Sequence, residues 1–135
     1  MNTIFIIDDE KEICESIKMI LEYEGYEVNY STSAIQGLKT LEESQTSCLL
    51  LDIQMPDMNG FEVLKKVKES IPSLSVIIIS AHGSVENAIK ATRLGAFYFI
   101  EKPIDREKLL ISVRNAVEQA KLVTENIEIK FSNTK

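Results

Sequence analysis

The sequence predicts an α/β fold, an open parallel sheet covered by helices on both faces. Three observations predict it. Along 135 residues, five short apolar runs alternate with five stretches of helical periodicity, strand before helix each time. Three of the runs, residues 4–7, 48–51 and 76–79, are apolar at every position. Strands read this way when helices cover both faces, whereas a half-solvated sheet alternates. Capping residues and helix breakers also fall at the joints between the two periods.

The elements follow in order. Strands are expected at 3–7, 26–30, 47–51, 75–79 and 97–100, and the mixed run 26–30 reads as an edge. Ile13, Ile17, Ile20 and Leu21 give the first helix one apolar stripe, with Gly25 as its C-terminal cap. Thr32 or Ser33 caps a second helix that turns Ala34, Leu38 and Leu41 inward. A third runs from Gly60, faces the core with Leu64 and Val67, and stops before Pro72. The fourth follows Ser84 with a stripe of Val85, Ala88, Ile89 and Thr92, and ends at Gly95. The fifth starts at Asp105, after Pro103.

That last helix continues past the point where a compact domain should end. Leu109, Val113, Ala116, Ala120, Val123 and Ile127 are spaced 4, 3, 4, 3 and 4, a heptad stripe. Two readings stay open: a docked helix with a frayed tail, or a projecting coiled-coil linker and dimer contact. The expected division is a globular unit at 1–120 and a helical extension with a disordered tail at 121–135.

Composition narrows the function classes. A net charge of −6 disfavours direct binding to a nucleic-acid duplex or an anionic membrane. No apolar run approaches the roughly 20 residues that a membrane-spanning helix needs. The N-terminus turns acidic at Asp8, unlike a signal peptide. Cys14 and Cys48 sit among apolar residues of predicted elements and read as small core packers. The expectation is a soluble cytoplasmic domain.

In open α/β sheets, ligands bind beyond the carboxyl ends of the strands. Asp8, Asp9 and Glu10 follow the first strand, Asp52 the third, Ser80 and Ala81 the fourth, and Lys102 the fifth. Each has a local use as well: an aspartate can cap a helix or end a strand, a serine can sit in a loop, and a lysine can be solvated. Together they set carboxylates, a hydroxyl and an ammonium on one rim. Clustered carboxylates oppose one another's ionisation unless a cation is present. A hard divalent ion with oxygen ligands, Mg²⁺, resolves that conflict and keeps positions open for phosphate oxygens.

Asp8 and Asp9, Asp52 followed by Met55, Pro56, Asp57, Met58, Asn59 and Gly60, Ser80 and Ala81, and Lys102-Pro103 resemble the signature of receiver domains. These are the phosphoaccepting domains of two-component response regulators. The resemblance covers residues 2–120 in five ordered segments. It implies a flavodoxin-like (βα)5 sandwich with strand order 2-1-3-4-5, and a signalling module that catalyses only its own phosphorylation and dephosphorylation. Asp52 would be the phosphoacceptor for a sensor histidine kinase. Asp8, Asp9, Asp52 and the backbone carbonyl of Gln54 would hold Mg²⁺. Lys102 and Ser80 would contact phosphoryl oxygens, with small Ala81 leaving room. The Lys102-Pro103 peptide resembles the family's cis bond.

The resemblance further implies a switch. Ser80 would move toward a new phosphoryl group and Phe99 would change rotamer, altering the surface of helix four, strand five and helix five. Gln54 and His82 occupy positions that tune acyl-phosphate lifetime in the family, while Asp57 and Glu101 read as solvated loop acids. Two other classes use similar parts. A haloacid-dehalogenase-like phosphatase needs a second aspartate where Gln54 stands, and a flavodoxin needs a hydroxyl-rich loop where Asp8, Asp9 and Glu10 stand. Neither explains Lys102-Pro103.

Residues 101–103 and the extended helix, with Leu122, Glu125 and Asn126, are similar to receivers of nitrogen-regulation (NtrC-type) transcriptional activators. In those, an ATPase domain and a DNA-binding domain follow. The expected architectures are therefore a free-standing regulator or the N-terminal module of a larger one, with a homodimer through the last helix. Charge divides accordingly: residues 1–105 hold 9 basic and 17 acidic residues, a net −8, and residues 106–135 hold 6 and 4, a net +2.

Overall fold

A computed structural model describes residues 2–133, with side chains described through residue 122. Five strands and five helices alternate among the described residues: β1 (Thr3–Ile7), α1 (Lys11–Tyr23), β2 (Glu27–Ser31), α2 (Ala34–Glu43), β3 (Cys48–Asp52), α3 (Gly60–Ser70), β4 (Ser75–Ser80), α4 (Val85–Arg93), β5 (Tyr98–Glu101) and α5 (Arg106–Asn133). All strand pairs are parallel, in the order β2-β1-β3-β4-β5. β1 pairs on both sides, Ile4 with Val28 and with Cys48. The order therefore reverses at β1 and β3, which opens a crevice at their carboxyl ends. Asp8 and Asp52 stand there.

Alternate residues of each strand feed two cores. Ile4, Ile6, Leu50, Ile77 and Ile79 pack with Ile17 and Leu21 of α1 and with Leu109 and Val113 of α5. Phe5, Ile7, Leu49, Leu51, Val76 and Ile78 pack with residues of α2, α3 and α4. The result is three layers, and the uniformly apolar strands are those covered on both faces. Cys14 and Cys48 are buried free thiols in the first core, as expected. Burial pushes the Cys14 thiol up to about 12.

Local signals account for most boundaries. Gly25 and Gly95 have φ of +95° and +99° just after α1 and α4. In each case two backbone N–H groups close back on the helix: Gly25 onto Glu22 and Tyr26 onto Leu21, and Gly95 onto Thr92 and Ala96 onto Ala91. Tyr26 is thereby committed to the end of α1, so β2 begins at Glu27, one residue later than expected. β2 is an edge strand, as predicted. Ser33, Asn59 and Ser84 cap α2, α3 and α4 with side-chain oxygens. Asp105 Oδ2 accepts from Lys108 N at 3.0 Å at the start of α5.

The stripe expected on α4 is not a core stripe. Ala91 is its buried residue, while Val85 is 76% and Ile89 47% exposed. α4 lies beside β5, a four-residue strand at the sheet edge, which offers too little surface to cover a full helix face. Its buried contact with the core lies near its C-terminal end, at Ala91 and the following Leu94. On α5, Leu109, Val113, Ala116 and Ala120 of the heptad stripe are buried. Val123 and Ile127 lie outside the described side chains. Among the described residues, no helix is long and apolar enough to cross a membrane.

Gly60 is required by proximity. A Cβ there would stand 2.3 Å from Ile53 Cα and 2.6 Å from Asp52 O, both backbone atoms. The missing side chain lets α3 start directly against the end of β3. Gly60→Ala is therefore expected to lower stability by about 2–3 kcal/mol, the usual scale of overpacking. A urea melt of the variant coinciding with that of the parent chain would contradict this.

Candidate functional site

The crevice collects residues from four strand ends. Asp8 leaves β1 completely buried, and its Oδ1 accepts from Glu10 N at 2.9 Å. That bond arranges the turn into α1, so Asp8 serves the loop more than it caps the helix. Asp52 closes β3 at 3% exposure, with Oδ1 accepting from Gln54 N at 3.1 Å. Lys102 arrives from β5, the far edge, across β4. Its backbone N donates to Ser80 O at 2.8 Å, and the Lys102-Pro103 peptide is cis, as expected.

The Lys102 ammonium is the centre of the cluster. Nζ lies 2.9 Å from Asp8 Oδ2, 3.2 Å from Glu10 Oε1 and 3.4 Å from Asp52 Oδ2. Burial works against the charged ammonium. The closely placed carboxylates of Asp8, Asp52 and Glu10 outweigh it and raise the Lys102 pKa. Asp8 Oδ2 is fully buried and meets Nζ outside hydrogen-bond geometry, so charge alone holds that contact.

One ammonium does not balance this site. Asp8, Asp9, Glu10 and Asp52 each place a carboxylate oxygen within 4.8 Å of the others. Burial first, and the Asp8 charge behind it, lift Asp52 from 3.8 to about 6, against the pull of the Gln54 N–H and of Lys102. An all-oxygen donor set with excess negative charge and a buried oxygen lacking a hydrogen bond fits a hard divalent cation. Soft-metal ligands are absent from the cluster, since Cys14 Sγ, the nearby thiol, donates instead to Asp8 O at 3.3 Å. An open depression lined by Asp9, Gln54, Met55 and Asn59 adjoins it and leaves room for an incoming group.

The other predicted residues stand as follows. Ser80 is fully buried at the end of β4, with Oγ accepting from His82 N at 3.0 Å. Ala81 and His82 are exposed beside it. Phe99 is half-buried against the second core and pairs in register with Ile78. Glu101 lies over Gly83, where a Cβ would stand 2.7 Å from its Cδ. Asp57 is not simply a solvated acid. Its carboxylate accepts from Ser33 Oγ at 2.9 Å, Ile35 N at 3.2 Å and Ala34 N at 3.3 Å. Slight burial raises its pKa, but these bonds prevail and hold it below the ordinary range. Neither this contact nor the approach of Glu10 to Lys102 has a sequence signal, because the partners are 24 and 92 residues apart.

Residues 4–114 match the family model of the response regulator receiver domain. The chain belongs to that family. The receiver is 40% identical over 129 residues to an NtrX-like response regulator of Rickettsia bellii, across 94% of this chain and 27% of that protein. Among solved structures, NtrX from Brucella abortus superposes with a TM-score of 0.87 at 33% identity, over 96% of this chain and 29% of that one. The beryllofluoride-activated NtrC4 receiver domain dimer gives 0.85 at 36% identity, over 89% of this chain and 99% of that one. The receiver thus spans between a quarter and a third of the NtrX-type chains it resembles. It is a signalling module of two-component systems, and the phosphatase and flavodoxin readings find no support.

The Asp52 carboxyl sets a pH dependence of stability. Between about pH 3.8 and 6 the folded chain keeps a proton that the unfolded chain has released. Stability therefore falls as pH rises through that window, and the cost is complete above it. Asp52→Asn is expected to gain about 3 kcal/mol at pH 7.5 without divalent cations, and well under about 1 kcal/mol at pH 4. Urea unfolding at the two pH values checks it; a variant less stable than the parent at pH 7.5 defeats the argument.

Proposed function

We propose that Asp52 accepts a phosphoryl group from the phosphohistidine of a sensor histidine kinase. The observation that carries this reading is the meeting of buried Asp52 with Lys102 inside an acidic cluster at the sheet's crevice. An Asp52 oxygen attacks phosphorus in line. The P–O bond forms as the P–N bond breaks, and the electron pair leaves on the kinase imidazole. Such transfers depend mainly on positioning and on neutralising spread negative charge. Mg²⁺, bound by Asp8, Asp9, Asp52 and the Gln54 carbonyl, would supply that neutralisation.

The protein's own groups do the rest. Lys102 already stands among Asp8, Glu10 and Asp52, and it is poised to shift onto a phosphoryl oxygen. Ser80 exchanges its bond from the His82 N–H for one donated to the phosphoryl group. Its movement allows Phe99 to turn inward. The surface of α4, β5 and α5 changes in consequence, and the loosely held α4 is suited to that shift. His82 and Gln54, both exposed beside the site, tune how water reaches the acyl phosphate.

The relatives support a covalently linked output domain that controls transcription, with residues 1–120 as the receiver in the cytoplasm and 121–135 as the helical connection. The activated receiver dimer among the structural neighbours supports dimerisation, here along α5.

Two outcomes are expected. Acetyl phosphate with Mg²⁺ labels the parent chain once, and Asp52→Asn takes up no label; labelled Asp52→Asn on intact-mass analysis would refute the assignment. The phosphorylated chain sediments as a dimer that Val123→Asp with Ile127→Asp weakens about ten-fold or more, as charges in a coiled-coil seam should. A parent chain that stays monomeric with and without the phosphoryl group defeats the dimer.

A further inference from the structure

The loop between β3 and α3 carries Gln54, so whatever holds this loop bears on the cation site. Its ends are pinned locally, Gln54 N to Asp52 Oδ1 at 3.1 Å and Gly60 N to Ile53 O at 3.1 Å. Its middle is held from elsewhere in the chain. Asp57 Oδ2 accepts from Ser33 Oγ and Ile35 N, and its Oδ1 accepts from Ala34 N. That partner segment is tied in turn to the other carboxylate-bearing loop. Ser31 O accepts from Asp8 N at 3.2 Å. Ser31 Oγ donates to Ser33 O at 2.8 Å and accepts from Ser33 N at 3.1 Å. A polar brace therefore runs from Asp8, round the β2–α2 turn, to Asp57. It links the loops after β1 and β3 without entering the cluster of carboxylates.

We propose that Asp57 and Ser33 are positioning residues that set the spacing of these two loops and thereby the affinity of the site for a divalent cation. The inference rests on the reading of Asp8, Asp9, Asp52 and the Gln54 carbonyl as ligands. Mg²⁺ tolerates little departure from octahedral geometry at about 2.0–2.1 Å. A carbonyl on an untethered loop must be ordered at the moment of binding, and that ordering subtracts from affinity. The brace orders the loop beforehand. Its anchor is durable, because an anionic carboxylate at the start of α2 also meets the positive end of the helix.

The test is a titration of the chain with Mg²⁺ alone, followed by backbone amide shifts in NMR, with no phosphoryl donor. Asp57→Ala is expected to weaken Mg²⁺ binding about ten-fold and Ser33→Ala about three-fold, at or below the low end for groups that support metal ligands. Asp57→Asn removes the same charge but keeps an acceptor oxygen, and is expected to stay within about two-fold of the parent. Parent-like affinity in Asp57→Ala overturns the brace. So does Asp57→Asn falling as far as Asp57→Ala, because the loss then belongs to charge. If Asp57→Ala fails to fold, parent-like affinity in Ser33→Ala decides against it. A parent chain that takes up no Mg²⁺ overturns the cation site and the brace with it, whereas parent binding with unmoved variants overturns the brace alone.

Discussion

The structure turns on one ammonium shared by three carboxylates. Asp8 and Asp52 are almost without solvent, and two buried carboxylates close together oppose each other's ionisation. Lys102 answers part of that cost from 2.9 and 3.4 Å. The arrangement demands much of the backbone, since β1, β3 and β5 must deliver their ends to one point. Adjacency of β1 and β3 meets the first requirement. β5, beyond β4 at the sheet edge, meets the second by pairing with β4 and sending Lys102 back over Ser80. Excess negative charge remains at the crevice even so, and that imbalance suits a hard divalent cation.

Around this cluster the loops differ in how firmly they are held. The β3–α3 loop is held at its start by Gln54 N on Asp52 Oδ1, at its end by a close backbone approach that glycine at position 60 permits, and in its middle by Asp57. The β4–α4 loop is held more lightly. Ser80 and His82 share one bond, Asn87 Nδ2 donates to His82 O at 3.2 Å, and the helix beyond buries a single residue. A firmly held side that carries the carboxylates and a more lightly held side beyond it suit the phosphoryl switch proposed above. The exposed Val85, Ile89 and Tyr98 lie on the looser side, where apolar area can be covered or released at little cost to the core.

Much of this was legible in the sequence, and for identifiable reasons. Uniformly apolar runs such as residues 76–79 are what short strands covered on both faces look like, and glycines at 25 and 95 take the left-handed cap at little cost. Asp8, Asp52, Ser80 and Lys102 could be placed on one rim because each follows a strand, and parallel strands end on the same side. The stripe on α4 misled, because periodicity reports which residues share a helix face and not whether a neighbour covers that face. β5 is too short and too close to the edge to do so.

Residue order and type thus determined the fold class, the layers and which residues share the rim, since strand and helix periods and strand-end positions are properties of the chain itself. Only the tertiary structure decided that Glu10 also reaches Lys102, that Asp57 binds the start of α2, and that Gly60 must have no side chain. Those facts depend on through-space approaches within about 3 Å between segments that lie far apart in sequence or meet only when a loop closes. No local pattern encodes such distances. They are set by how two layers of helices seat on one twisted sheet.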